Sequence, residues 1–284
     1  GFINMFSGVN VTGIISGLAW GLGYFGMPHI LVRFMAVKNE KEMRKSKTVA
    51  ITWVTISLAA AAVIGVLGRA YMDYDELTAA GTEKIFIEMI KKVFTQDIKA
   101  PFIAGIFLCG ILAAIMSTAD SQLLVSASAI AEDIVKGCLK KDADDKFIMK
   151  FSRATIIVVA VIAFFIAWNP DSSVMKLVSD AWAGLGSAFG PLVIMALFWK
   201  RTNIPGGVAG LVSGALTVII WDYIPMISSA DGFVTIGFAT GLYSLAVGFP
   251  VSLIFIILVS LITKAPAQEI VDEFDAVKDV KDEM

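Results

Sequence analysis

From about residue 12 the chain alternates long apolar runs with short polar ones. Seven runs, at about 12–36, 48–70, 101–135, 148–168, 173–199, 204–224 and 239–263, are long enough to cross a bilayer, which takes roughly 20 residues of helix. The pattern predicts an all-α polytopic membrane helical bundle with about seven transmembrane helices. One transmembrane domain covers 1–263, and an acidic, weakly helical tail covers 264–284. The longest connection, 71–99, mixes Ile85, Ile87, Ile90 and Phe94 with Glu83, Lys84, Glu88 and Lys91 at 82–94. That mixture suits a short helix, either lying at the interface or simply solvated. Residues 1–10 carry no charged start followed by a small-residue cleavage site. The chain is therefore expected to be a piece of a longer membrane protein.

Charge orients the spans. Of the 23 Lys and Arg, 17 fall in segments 33–47, 136–153, 200–201 and 264–281, which the spans put on one side. By the positive-inside rule that side is cytoplasmic, so the expected location is the bacterial plasma membrane with a cytoplasmic C-terminus. A hydrophobic fraction of 57% lies above the roughly 45–50% of soluble domains and supports a lipid-bilayer partner. The formal charge of −2 gives no hint of nucleic acid. Cys109, Cys138 and the single His have no metal-ligand spacing. No nucleophile–base pairing stands out, which argues against an enzyme.

The third run holds a polar knot, Ser117-Thr118-Ala119-Asp120-Ser121-Gln122, in its apolar middle. Polar groups at such depth usually face a bundle interior and mark a solute or ion path. Ala114, Ser117 and Ser121 share one helical face, with Thr118 beside it. Either the hydroxyls converge with a main-chain carbonyl on a hard monovalent cation, or they bond back to carbonyls of their own helix. Asp120 is a charge near the ion path or a residue turned to water. The first run is interrupted differently. Trp20, Tyr24 and Pro28 recur every four residues, with Gly21, Gly23 and Gly26 lowering helix propensity between them. This stripe faces a solute or packs as core, and a broken helix at membrane depth is tolerable where it lines a cavity. His29 follows directly and is a gate or a packing residue. In the fifth run Trp182, Gly184, Gly186 and Gly190 read as close helix packing.

Two stretches carry a resemblance. One is Leu18-Ala19-Trp20-Gly21-Leu22-Gly23-Tyr24-Phe25-Gly26-Met27-Pro28-His29-Ile30 with Arg33-Phe34-Met35-Ala36. The other is Ile111-Leu112-Ala113-Ala114-Ile115-Met116-Ser117-Thr118 with Ser121-Gln122-Leu123-Leu124-Val125 and Ala131-Glu132-Asp133. Together they resemble the sodium:solute symporter family, in its proline-carrying form, over essentially the whole chain. The resemblance implies the second half of an inverted-repeat, leucine-transporter-type secondary transporter, with peripheral helices. It implies that Ala114 (by its carbonyl), Ser117 and Thr118 bind sodium, and that Trp20, Tyr24 and Pro28 meet proline. Asp120, Ser121 and His29 are then candidates for coupling or gating. Sodium is the only expected ion and coupling partner, with no organic cofactor. The first half of the protein is expected to complete both sites. The competing readings are the same fold carrying pantothenate, another amino acid or a sialic acid, and a membrane sensory module fused to a kinase.

Overall fold

In the computed structural model, residues 8, 10–72, 83–168, 173–229 and 232–282 are described. The chain opens with α1 (Val11–Ala19), a 3₁₀ segment (Trp20–Gly26) and α2 (Pro28–Met35). Then come α3 (Glu40–Tyr71), α4 (Ile85–Lys91) with a wide π-helical turn Lys92–Asp97, and α5 (Pro101–Ser128), which widens into a π-helix Ala129–Leu139. After α6 (Asp145–Ala167), α7 (Val174–Phe198) and α8 (Ile204–Tyr223) comes a ribbon of β1 (Pro225–Ser229) and β2 (Gly232–Thr235). The chain closes with α9 (Ile236–Thr240), α10 (Leu245–Ile262) and α11 (Gln268–Asp282). Among the described residues, six helices are long and apolar enough to cross a membrane, and the first, broken pair makes up to seven. The all-α membrane bundle expected from the apolar pattern is therefore present.

The remaining expectations compare with the structure element by element. The last span starts later than residue 239, because Gly241 takes a left-handed backbone (φ 62°) that ends α9 before α10 begins. The helix expected at 82–94 is α4 and its π turn; Thr82 lies outside the described residues. The tail is helical through α11. The two-stranded ribbon was not foreseen. It pairs Ile227 with Val234 and Ser229 with Gly232, too short a stretch to show a period of two.

Two compact units divide the chain: Gly1–Val32 with Leu177–Met284, and Arg33–Lys176. In the first, the split unit, the core is Ala183, Val218, Leu245 and Phe249 with Leu22, Trp182, Ile194 and Tyr243 packed on it. Gly206, Gly210 and Gly214 of α8 face Ser260, Ile256 and Ser252 of α10. Small residues there let two helix backbones approach closely, a usual device where lipid removes the hydrophobic drive between helices.

In the second, the middle unit, Ala131, Val135, Ala143, Ile148 and Phe151 join the end of α5 to the start of α6. Phe94 stacks on Phe107 at 5.1 Å, and Tyr71 bonds Asp97. Glu83 accepts from the Ser173 hydroxyl (2.6 Å) and from the amides of Val174 (3.2 Å) and Met175 (3.1 Å). A carboxylate at the orphan amides of a helix start is favoured by both hydrogen bonding and the helix dipole. The Ser173 hydroxyl bond is the largest of the influences that hold the Glu83 carboxyl below its ordinary value.

Candidate functional site

The polar knot lies on α5 in the middle unit. Ser117 Oγ donates to the Ala114 carbonyl at 2.9 Å, and Thr118 Oγ1 donates to the same carbonyl at 3.3 Å. Both hydroxyls thus bond back to their own helix. The bond does not consume their acceptor capacity, since a hydroxyl that donates once keeps two lone pairs. Three oxygens of one turn are gathered at a single exposed point of α5. Hard cations take oxygen ligands; the two hydroxyls keep free lone pairs, and the Ala114 carbonyl, which already accepts both, joins them once those bonds turn aside, so the trio offers one side of a coordination shell and needs further oxygens from elsewhere.

One turn on, Ser121 Oγ donates to the Ser117 carbonyl at 2.9 Å and accepts from Arg33 Nη2 at 3.4 Å. A fixed positive charge therefore stands beside the knot. Arg33 stands out in the sequence as the first of a basic segment and as part of the family-resembling stretch, but nothing local signals its link to Ser121, 88 positions away. Asp120 and Gln122 are exposed on the same helix.

The aromatic site belongs to the split unit. Trp20 stacks on Trp182 with ring centroids 5.8 Å apart and on Tyr243 at 5.7 Å. Tyr24 meets Trp182 edge-on at 4.9 Å. Trp182 Nε1 donates to the Trp20 carbonyl at 3.0 Å, while the Tyr243 hydroxyl donates to the Ser179 carbonyl at 2.7 Å. A methyl group at Gly23 would overlap the Trp182 indole, and one at Gly26 would overlap the Leu185 carbonyl. These two glycines are what let the broken span lie so close to α7.

The even stripe expected of Trp20, Tyr24 and Pro28 is interrupted. Trp20–Gly26 is 3₁₀, with three residues per turn, so positions four apart no longer share a face. Met27 then leaves the helix (φ −86°, ψ 111°), and α2 sets off at 52°. Pro28 is the first residue of α2, where its missing N–H costs nothing, and the Met27 carbonyl receives the amides of Ile30 and Leu31. Trp182, not helical periodicity, brings Trp20 and Tyr24 together. Pro28 and His29 sit half-buried on the turn that follows. Tyr243 was missed entirely, having no periodic pattern around it.

A broken apolar span, an oxygen trio in the middle of an apolar helix and an aromatic cluster are thus set in a polytopic bundle of membrane-spanning helices. Residues 5–214 match the model of the sodium:solute symporter family. The chain belongs to that family. It is 40% identical to the high-affinity proline transporter PutP of Bacillus subtilis (strain 168) over 276 residues, which is 97% of this chain and 55% of that protein. The osmoregulated proline transporter OpuE of the same strain is 41% identical over 268 residues, 94% of this chain and 51% of the relative. The sodium/proline symporter of Staphylococcus aureus is 40% identical over 281 residues, 98% of this chain and 53% of the relative. The chain thus spans about half the length of these curated relatives.

Proposed function

We propose that this chain is part of a plasma-membrane carrier that uses an inward sodium gradient to import L-proline. The observation that carries the reading is the oxygen trio of Ala114, Ser117 and Thr118, met at one point of an apolar helix in a chain whose relatives bear the name of sodium/proline symporters. On this reading the trio holds part of the sodium shell, and oxygens from the rest of the full-length carrier complete it. Trp20 and Tyr24, steadied by Trp182, supply aromatic walls for the proline ring. The break in the main chain around Met27 and Pro28 supplies polar contacts for its charged ends, in keeping with the few, accurately placed polar contacts of small-ligand sites.

On this reading Asp120, Ser121 and His29 are the candidates for coupling or gating. Coupling follows if both ligands prefer the same state of the carrier, because each then raises the affinity for the other. Sodium is cargo here, and no organic cofactor enters. The basic segments support a cytoplasmic C-terminus by the positive-inside rule. Uptake of labelled proline into proteoliposomes holding the full-length protein tests the reading. Accumulation should follow an inward sodium gradient and vanish when potassium replaces sodium. Equal uptake in both ions, or no competition by unlabelled proline, would remove it.

A further inference from the structure

In the split unit, the short loop between α9 and α10 is tied down by its neighbours. Gly241 turns it with a left-handed backbone. The Leu242 carbonyl receives the Trp221 indole N–H of α8 at 3.0 Å. The Tyr243 amide donates to Ser16 Oγ of α1 at 3.0 Å, and the Tyr243 hydroxyl donates to the Ser179 carbonyl of α7 at 2.7 Å. Ser244 and Leu245, which follow, are fully buried. The Ser244 side chain gives α10 no cap, so these bonds serve the loop and not the helix end.

What the bonds hold in place is the Tyr243 ring. It lies on the Trp20 indole with centroids 5.7 Å apart and planes 19° from parallel. The same indole stacks on Trp182 at 5.8 Å and 14°. The main chain of Trp20 is fixed separately, because its carbonyl accepts from Trp182 Nε1 at 3.0 Å. A fixed main chain still leaves the side-chain torsions of an indole free. A neighbouring ring in a nearly parallel plane restricts them, since aromatic pairs attract in a preferred geometry beyond simple burial.

We propose that Tyr243 is a positioning residue for the solute site: tied to Ser16 and Ser179, its ring sets the angle at which the Trp20 indole meets the solute. This rests on the reading of Trp20 as a wall for proline. Tyr243 acts through Trp20 and need not touch the solute itself. Side chains that shape a site keep their geometry when the residues behind them are locked by packing and hydrogen bonds. Here the lock comes from α1 and α7 together, and the ring it fixes is carried by the chain just before α10.

The test uses the full-length carrier labelled with fluorotryptophan, in which the Trp20 fluorine resonance is the one lost in Trp20→Phe. Tyr243→Leu should move that resonance toward the position of a mobile, solvent-exposed indole. Tyr243→Phe, which keeps the ring and gives up the Ser179 bond, should move it less. In sodium-driven uptake, Tyr243→Leu should raise the proline concentration for half-maximal rate by about two- to tenfold, the effect of one aromatic pair, with the maximal rate changed less. A residue that only packs α10 against its neighbours would instead lower the maximal rate along with the amount of folded carrier. A Trp20 resonance unmoved in Tyr243→Leu would overturn the proposal, and so would a moved resonance with an unchanged half-maximal concentration. If Tyr243→Leu does not fold, Tyr243→Phe decides by the same two readings. A moved resonance in a carrier that takes up no proline would fault the solute and leave the orienting role in place.

Discussion

The Ala114 carbonyl receives two side-chain hydroxyls within one turn, and a cation drawing on all three oxygens would depend on each. Removing one ligand from a few leaves a charge under-coordinated where water is scarce. Ser117→Ala and Thr118→Ala in the full-length carrier should each raise the sodium concentration for half-maximal proline uptake by about tenfold or more, the effect of losing a charged contact of roughly 1.5–3 kcal/mol. Uptake at saturating sodium should fall less. Unchanged sodium dependence in both variants would move the ion site elsewhere. These residues were legible because polar groups inside an apolar run stand out in one dimension. Tyr243 was not, and of Trp182 only its part in close helix packing was. Their meaning lies in rings and carbonyls brought together from distant positions, as in the Trp182 bond to Trp20, 162 residues away, and no local period encodes it.

The broken first span shows the same limit at the level of elements. Glycines and a proline announced an interruption, and one is there, but the 3₁₀ winding that shifts Tyr24 off an even stripe depends on packing against α7. The fit is close enough to test. Gly23→Ala should overpack the Trp182 contact and destabilise the protein by about 1–3 kcal/mol, read as a lower unfolding temperature of the purified carrier, with Trp182→Ala in the same chain restoring part of the loss. A change confined to uptake, with thermal stability intact, would argue against this packing. The Glu83 cap gives a second test. Its carboxyl is held below the ordinary value by its bonds to Ser173, Met175 and Val174, so the charged form is the one the fold favours. The contact should be fully present above the ordinary carboxylate range and be lost as pH falls through the lowered value. Glu83→Gln should expose the Val174 and Met175 amides to hydrogen exchange at neutral pH to the degree that acid does in the unaltered protein. Equal protection in both proteins at neutral pH would show that the charge is not needed.

For the whole molecule, the spans were readable because about seven long apolar stretches leave little else to build. The uneven basic segments predict more: a Lys84→Cys variant should react with an impermeant maleimide from outside intact cells, and a Gln268→Cys variant only after permeabilisation, in a background with Cys109 and Cys138 replaced by serine. The reverse pattern would invert the carrier. The spans of the two units differ in exposure. About a third of the best apolar window is buried in α7, in α8 and in α10, against 6% in α5 with its extension and none in α3. The middle unit therefore presents its oxygen trio on a helix still open to further neighbours. Last, the winding of Trp20–Gly26 is a store of length. Seven residues at about 2.0 Å each in 3₁₀ form extend roughly 14 Å, whereas an α-helix of the same residues would extend about 10.5 Å. Rewinding that one segment would draw α2 inward by about 3.5 Å and turn it by roughly 140°, a screw-like stroke needing no hinge beyond the existing break. Spin labels at Gly17 and Val32 would register it as a distance change of that order between sodium-loaded and sodium-free carrier, and an invariant distance would mean that the segment is a fixed spacer.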